Sequence, residues 1–197
     1  MELFLAVPGE IWSFDAKKGN ITWYAYTNVG GRGGNVSPST ITGGDALYVF
    51  GGRPGSGIAV KLGGNGEVKE SGKLWTSRNS PFVATPVYHE GHLYWMDRSG
   101  YAVCLNASTG REAFRERLKS SSRITPKFYA SPVVVDGKII SVSRNAGAFV
   151  LEAKPKFKQL AQNTFSSDRS VFNASPAISN NRLFLRSDTH LYCVTDK

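Results

Sequence analysis

The sequence predicts an all-β fold in which short four-stranded antiparallel sheets repeat along the chain. Three observations predict it. The pair Ser37-Pro38 returns as Thr85-Pro86, Ser131-Pro132 and Ser175-Pro176, at intervals of 48, 46 and 44 residues. Each copy carries the same series of turns and apolar runs in step. The composition suits tight turns and short strands, with 21 Gly in 197 residues, 12% aromatics and abundant Val and Ile.

Within one unit we letter the strands A to D. Strand A is expected to start at the Ser/Thr-Pro pair, because proline gives up an N–H where the ladder has not yet begun. A turn follows each: Gly43-Gly44-Asp45, Glu90-Gly91, Asp136-Gly137 and Asn180-Asn181. Strand B comes next, as Leu47-Tyr48, Leu93-Tyr94, Ile139-Ile140 and Leu183-Phe184. Strand C is IAVKL after Gly57, YAVCL after Gly100, AFVLE after Gly147 and HLYCV after Thr189. A further copy of it opens the chain as EIWSF after Gly9. Strand D carries an aromatic at Trp23, Trp75 and Phe114. A repeat in the mid-forties with four strands per unit means β-propeller blades. Blades stack face to face, so both faces are buried and strands such as YAVCL lose strict polar alternation.

The strand inventory gives one partial propeller domain over residues 1–197, with blade remnants at 1–30 and 175–197. Full blades are expected at about 36–78, 84–123 and 130–169. Such a chain holds about four to five blades of a propeller of seven or eight. It reads as the C-terminal part of a longer protein, with Met1 an internal start or a truncation point.

The formal net charge is +9, from 24 basic and 15 acidic residues, which favours anionic partners. No stretch approaches the ~20 apolar residues that span a bilayer. MELFLAVPGEIWSF lacks the basic n-region and cleavage site of a signal peptide. His89-Glu90-Gly91-His92 has the wrong spacing for a helical zinc motif and reads as a polar turn. The Gly-rich pieces near Arg32 and Arg53 contain no phosphate-loop Lys-Ser/Thr and read as loops.

The best copies of the unit, GEIWSFDAKKGNITW (Gly9 to Trp23) and GYAVCLNASTGREAF (Gly100 to Phe114), are similar to the quinoprotein-type, or PQQ-like, β-propeller repeat. The resemblance covers essentially the whole chain and is closest to the C-terminal half of exported bacterial PQQ-binding-like repeat proteins. It implies an extracytoplasmic setting for the intact protein. It also implies that Trp23 and Trp75, with Phe114 in substitution, dock each blade onto its neighbour, while AKPKFKQLAQN has lost that residue. The family name implies a quinone held with Ca²⁺ beside a catalytic Asp, often with a disulfide between adjacent cysteines. Here Cys104 and Cys193 are not adjacent, and no calcium-loop spacing occurs. The expectation is therefore no cofactor, with PQQ and Ca²⁺ as the alternative.

One charge pattern stands out. Arg53, Arg98, Arg144 and Arg186 fall after strand B, and Arg32, Arg78, Arg123 and Arg169 fall between strand D and the next strand A. In a meander these two loop types lie at the same end of the blade. Eight of the twelve arginines are thus expected on one rim, with Tyr129 and Asn173 beside the axis. Lys17, Lys18, Lys61, Lys154, Lys156 and Lys158 fall mostly near C–D turns, at the other end. Guanidinium forks match carboxylate, sulfate or phosphate. The competing expectation is that Asp97, Asp168 and Asp188 neutralise them. The reading that follows is a non-enzymatic binding or scaffold module. Its Arg-rich rim engages an anionic protein surface or an acidic glycan, with no nucleic acid expected, and its other partners are the remaining blades of the same protein. The alternative is part of a PQQ-dependent dehydrogenase, and no catalytic residue can be named.

Overall fold

The computed structural model describes residues 1–31, 34–52, 55–121 and 123–195. In chain order the strands are β1 (Glu2–Val7), β2 (Glu10–Asp15), β3 (Ile21–Tyr26), β4 (Ile41–Gly43), β5 (Ala46–Gly51), β6 (Ser56–Lys61), β7 (Gly66–Glu67), β8 (Lys73–Ser77), β9 (Val87–His89) and β10 (His92–Met96). They continue as β11 (Tyr101–Asn106), β12 (Glu112–Arg117), β13 (Val133–Val135), β14 (Lys138–Ser143), β15 (Gly147–Glu152), β16 (Gln159–Asn163), β17 (Ala177–Ser179), β18 (Arg182–Arg186) and β19 (Leu191–Val194). The described strands form five sheets, β1-β2-β3-β7, β4-β5-β6-β8, β9 to β12, β13 to β16 and β17 to β19, which we number one to five along the chain. Sequential pairing is antiparallel throughout.

The core is divided into layers between consecutive sheets. Ile11, Trp23 and Ala25 of sheet one meet Leu47, Val49, Ile58 and Val60 of sheet two. On the other face of sheet two, Tyr48, Phe50 and Trp75 meet Leu93, Trp95 and Val103 of sheet three. Tyr94, Met96 and Cys104 then face Ile139, Phe149 and Leu151, and Val142 and Ala148 face Leu185. Central strands therefore bury both faces, which is why β5 is buried at all six positions.

The turns repeat because few residues tolerate them. Glu90-Gly91, Asp136-Gly137 and Asn180-Asn181 each hold two successive positive φ values, 45° and 75°, 47° and 65°, and 49° and 56°. These are two-residue hairpin turns matched to right-handed strand twist. A register shift recurs between strands C and D, at Ser13/Phe14, Ala59/Val60, Cys104/Leu105 and Val150/Leu151. Such bulges bend the outer strand.

Two features depart from the sequence reading. Strand A starts directly after the Ser/Thr-Pro pair at Val87, Val133 and Ala177, and two residues further on, at Ile41, in the first copy. The pair has another role. The Ser39 amide donates to Thr85 Oγ1, the Thr85 amide to Ser131 Oγ and the Ser131 amide to Ser175 Oγ, each at 2.9 Å. Hydroxyls one unit apart thus stitch the inner ends of neighbouring blades before any ladder forms. The second departure is β7, a two-residue strand from the C–D excursion of sheet two. It crosses to sheet one and pairs parallel with β3, Trp23 opposite Gly66 and Tyr24 opposite Glu67.

The aromatic side chains of strand D lie against the C–D segment of the following sheet. The Trp75 indole packs so closely on Gly110 that a Cβ there would sit 2.6 Å from the ring, and its Nε1 donates to the Ala107 carbonyl at 2.8 Å. Trp23 lies beside Gly64 and donates to Glu2 Oε1 at 3.1 Å. Phe114 meets Phe157 edge-on, ring centroids 5.7 Å apart.

Candidate functional site, an arginine-bearing rim

Antiparallel meanders put the B–C turns and the D–A junctions at one end. Arg98 lies between β10 and β11, Arg144 between β14 and β15, and Arg186 at the end of β18. Arg78 follows β8, Arg123 follows β12 and Arg169 follows β16. Arg32 and Arg53 lie outside the described residues.

The structure joins some of these through aromatic rings. The Arg98 guanidinium lies 4.8 Å from the centroid of Phe82, Phe82 is tilted against Tyr129 at 6.2 Å, and the Arg144 guanidinium lies 4.3 Å from the centroid of Tyr129. Cation, ring, ring and cation thus run as one ladder across the junction of sheets three and four. A guanidinium over a π face is attracted electrostatically while its in-plane N–H edge stays available. Arg144 Nε is buried and has no hydrogen-bond partner.

The nearby acids are engaged elsewhere. Asp97 pairs with Arg115 at 2.5 Å and accepts the Ser99 and Tyr101 amides, at 2.8 and 3.0 Å. Asp168 accepts the Ser170 amide and hydroxyl on one oxygen, and the Ser187 and Tyr192 hydroxyls on the other, at 2.6 to 2.9 Å. These bonds, that from the Ser170 hydroxyl foremost, hold its carboxyl well below the usual carboxylate range. Among the described residues, Arg78, Arg98, Arg123, Arg144, Arg169 and Arg186 form no ion pair with an acid.

The remaining predicted residues are spread out. Arg78 borders a groove between sheets one and two with Tyr26, Asn28 and Thr76. Arg169 shares a cleft between sheets four and five with Arg144. Arg123, Arg186 and Asn173 are exposed. Sequence reasoning missed Phe82, although an aromatic two or three residues before a Ser/Thr-Pro pair was a visible signal. It also missed Arg115 and Arg117, whose guanidinium groups flank the Tyr101 ring at 5.0 and 4.6 Å.

Among the described residues no three His, Cys, Asp or Glu side chains could hold a metal ion together. Cys104 is buried and Cys193 exposed, and both are free thiols. Among the described residues no helix is long and apolar enough to cross a membrane.

Residues 68–155 match the family described as outer membrane protein assembly factor BamB, the PQQ_2 repeat. No curated protein matches the sequence significantly. Among solved structures, BamB from Moraxella catarrhalis is 12% identical with a TM-score of 0.67, over 95% of this chain and 54% of that one. The C-terminal WD40 domain of Sif2 is 10% identical with a TM-score of 0.69, over 98% of this chain and 53% of that one. A quinohemoprotein alcohol dehydrogenase from Pseudomonas putida HK5 is 13% identical with a TM-score of 0.62, over 84% of this chain and 30% of that one. The chain spans about half, or less, of the length of these structures, and at such identities the likeness is one of fold. The same four-stranded unit recurs on either side of the matched residues, so the chain has a β-propeller fold and, over residues 68–155, is similar to the PQQ-like repeat family.

Proposed function

We propose that this chain is a non-enzymatic binding module that holds an anionic partner, an acidic protein surface or an acidic glycan, on its arginine-bearing rim. One observation carries the reading: Arg98 and Arg144 are laid on Phe82 and Tyr129 while Asp97 and Asp168, the acids that could neutralise them, are satisfied by other donors. Arginines held flat on rings are pre-positioned, so less side-chain entropy is lost when an anion meets their edges. A protein partner agrees with the matched family, whose description is an assembly factor. By the same description the module acts outside the cytoplasm.

Other blades of the same protein are the second class of partner. The outer face of sheet one carries Leu3 and Leu5 beside Trp12, Phe14, Tyr24 and Tyr26, with Leu3 and Tyr26 62% and 57% exposed. A face of this kind suits another propeller sheet.

The test is a charge-reversal set. Arg98→Glu, Arg144→Glu and Arg186→Glu together abolish retention on heparin or an acidic polymer at low salt. Lys154→Glu, Lys156→Glu and Lys158→Glu together leave most of it. Equal losses would mean that only diffuse net charge is at work.

A further inference from the structure

We propose that the cleft between sheets four and five takes a carboxylate carried on an apolar group, as in a peptide C-terminus or an acidic side chain next to a hydrophobic residue. The proposal deepens the rim reading and rests on it, since Arg144 and Arg169 belong to both.

The cleft has a volume of about 260 Å³. Sites for whole small molecules run to roughly 300–1,000 Å³, so this one suits a single inserted group rather than a length of polymer. Its apolar side is built by Phe165 and Phe172, stacked with centroids 4.9 Å apart and planes at 29°. Tyr192 backs Phe165 at 4.8 Å. Its cationic side is Arg144 and Arg169.

Arg144 supplies the sharpest sign of a missing acceptor. Its Nε is buried without a partner, although its guanidinium is held in place by the Tyr129 ring. A buried donor left unmatched is a standing cost that a ligand's oxygen removes. Two polar side chains that line the cleft are engaged elsewhere. Gln162 gives its amide to the Ala146 carbonyl and accepts the Ser121 amide on its oxygen. Asp168 has both oxygens occupied by Ser170, Ser187 and Tyr192.

Asp168 also selects among anions. Its carboxylate lines the same cleft and stays ionised, so a dianionic phosphate is repelled more than a singly charged carboxylate. The stacked phenyl rings favour a ligand with an apolar body beside its charge.

The experiment uses the chain itself, titrated at low salt and followed by calorimetry or NMR. The probes are N-acetyl-phenylalanine, with its terminal carboxylate, and N-acetyl-phenylalanyl-aspartic acid α-amide, with a free side-chain carboxylate. N-acetyl-phenylalanine amide and inorganic phosphate serve as comparisons. We expect saturable binding of at least one carboxylate probe, with the amide and phosphate weaker by about tenfold or more. The stronger carboxylate probe identifies the source. Arg144→Gln lowers that affinity about tenfold, as does Arg169→Gln, which stands in if the first variant unfolds. Lys156→Gln, at the opposite end of the blade, leaves it unchanged. Equal binding of acid and amide, or no effect of either cleft variant, overturns the proposal. If the rim reversal abolishes polymer retention but no probe binds, the cleft proposal fails alone. If retention ignores the rim arginines, the parent reading fails whatever the probes do.

Discussion

The two ends of the blades use aromatic residues for opposite purposes. At the C–D end, Trp75 is driven onto Gly110 and bonded to Ala107, and Phe114 meets Phe157, so the rings fasten sheet to sheet. At the B–C and D–A end, Phe82 and Tyr129 face guanidinium groups instead. The charges differ in the same sense. At the C–D end Glu152 takes both Lys154 and Lys158, at 3.2 and 3.5 Å, and Glu67 takes Lys69. At the other end the ladder arginines have no acid. A count of basic residues treats the two ends alike. Their surroundings separate them: Lys69, Lys154 and Lys158 sit against acids, whereas Arg98 and Arg144 lie on rings.

The largest effect that sharpens this contrast is Trp75→Ala. It removes an 8%-exposed indole and its hydrogen bond, and should cost ~3–5 kcal/mol in denaturant unfolding. A cost below ~1 kcal/mol would break the fastening account of that end. Tyr129→Leu tests the other end. It keeps the bulk but loses the π face beneath Arg144, worth about 0.5–1 kcal/mol. Retention on an acidic polymer should weaken roughly two- to fivefold, with unfolding nearly unchanged. If stability falls and retention does not, the ring is a fastener like Trp75.

Asp168 gives a pH test of the same end. Its folded pKa is depressed by the Ser170, Ser187 and Tyr192 hydroxyls, so its contribution to stability is present above the ordinary carboxylate range near 4 and is lost as pH falls through that range toward the folded value. Asp168→Asn should lower stability at neutral pH and flatten the acid limb of the stability profile. An unchanged acid limb would mean that the hydroxyl cage does not favour the ionised form. The smallest effect is chemical. Burial pushes the Cys104 thiol up to about 12, so a thiol reagent at neutral pH should label only the exposed Cys193 in the folded chain. Rapid labelling of both would show that the layer between sheets three and four opens.

Much of the fold was legible because its punctuation is local. Asp136-Gly137 and Asn180-Asn181 announce two-residue turns, and the apolar runs YAVCL and AFVLE announce strands buried on both faces. What escaped notice depends on distance along the chain. The bond from the Ser131 amide to Ser175 Oγ joins residues 44 apart, and nothing in either neighbourhood foretells it. The parallel strand at Gly66–Glu67 is too short to have a period. Of the candidate site, the loop positions of the arginines could be read from the meander alone. Which of them lie on rings could not, because Phe82 and Tyr129 meet only across two blades.

The hydroxyl seam has an evolutionary consequence. Units of 44 to 48 residues differ in length, yet each closes on the next through the same single bond between an amide and an alcohol. A tandem duplication would present its new unit with an alcohol already waiting, so such an array can grow or shrink by whole units without inventing a joint.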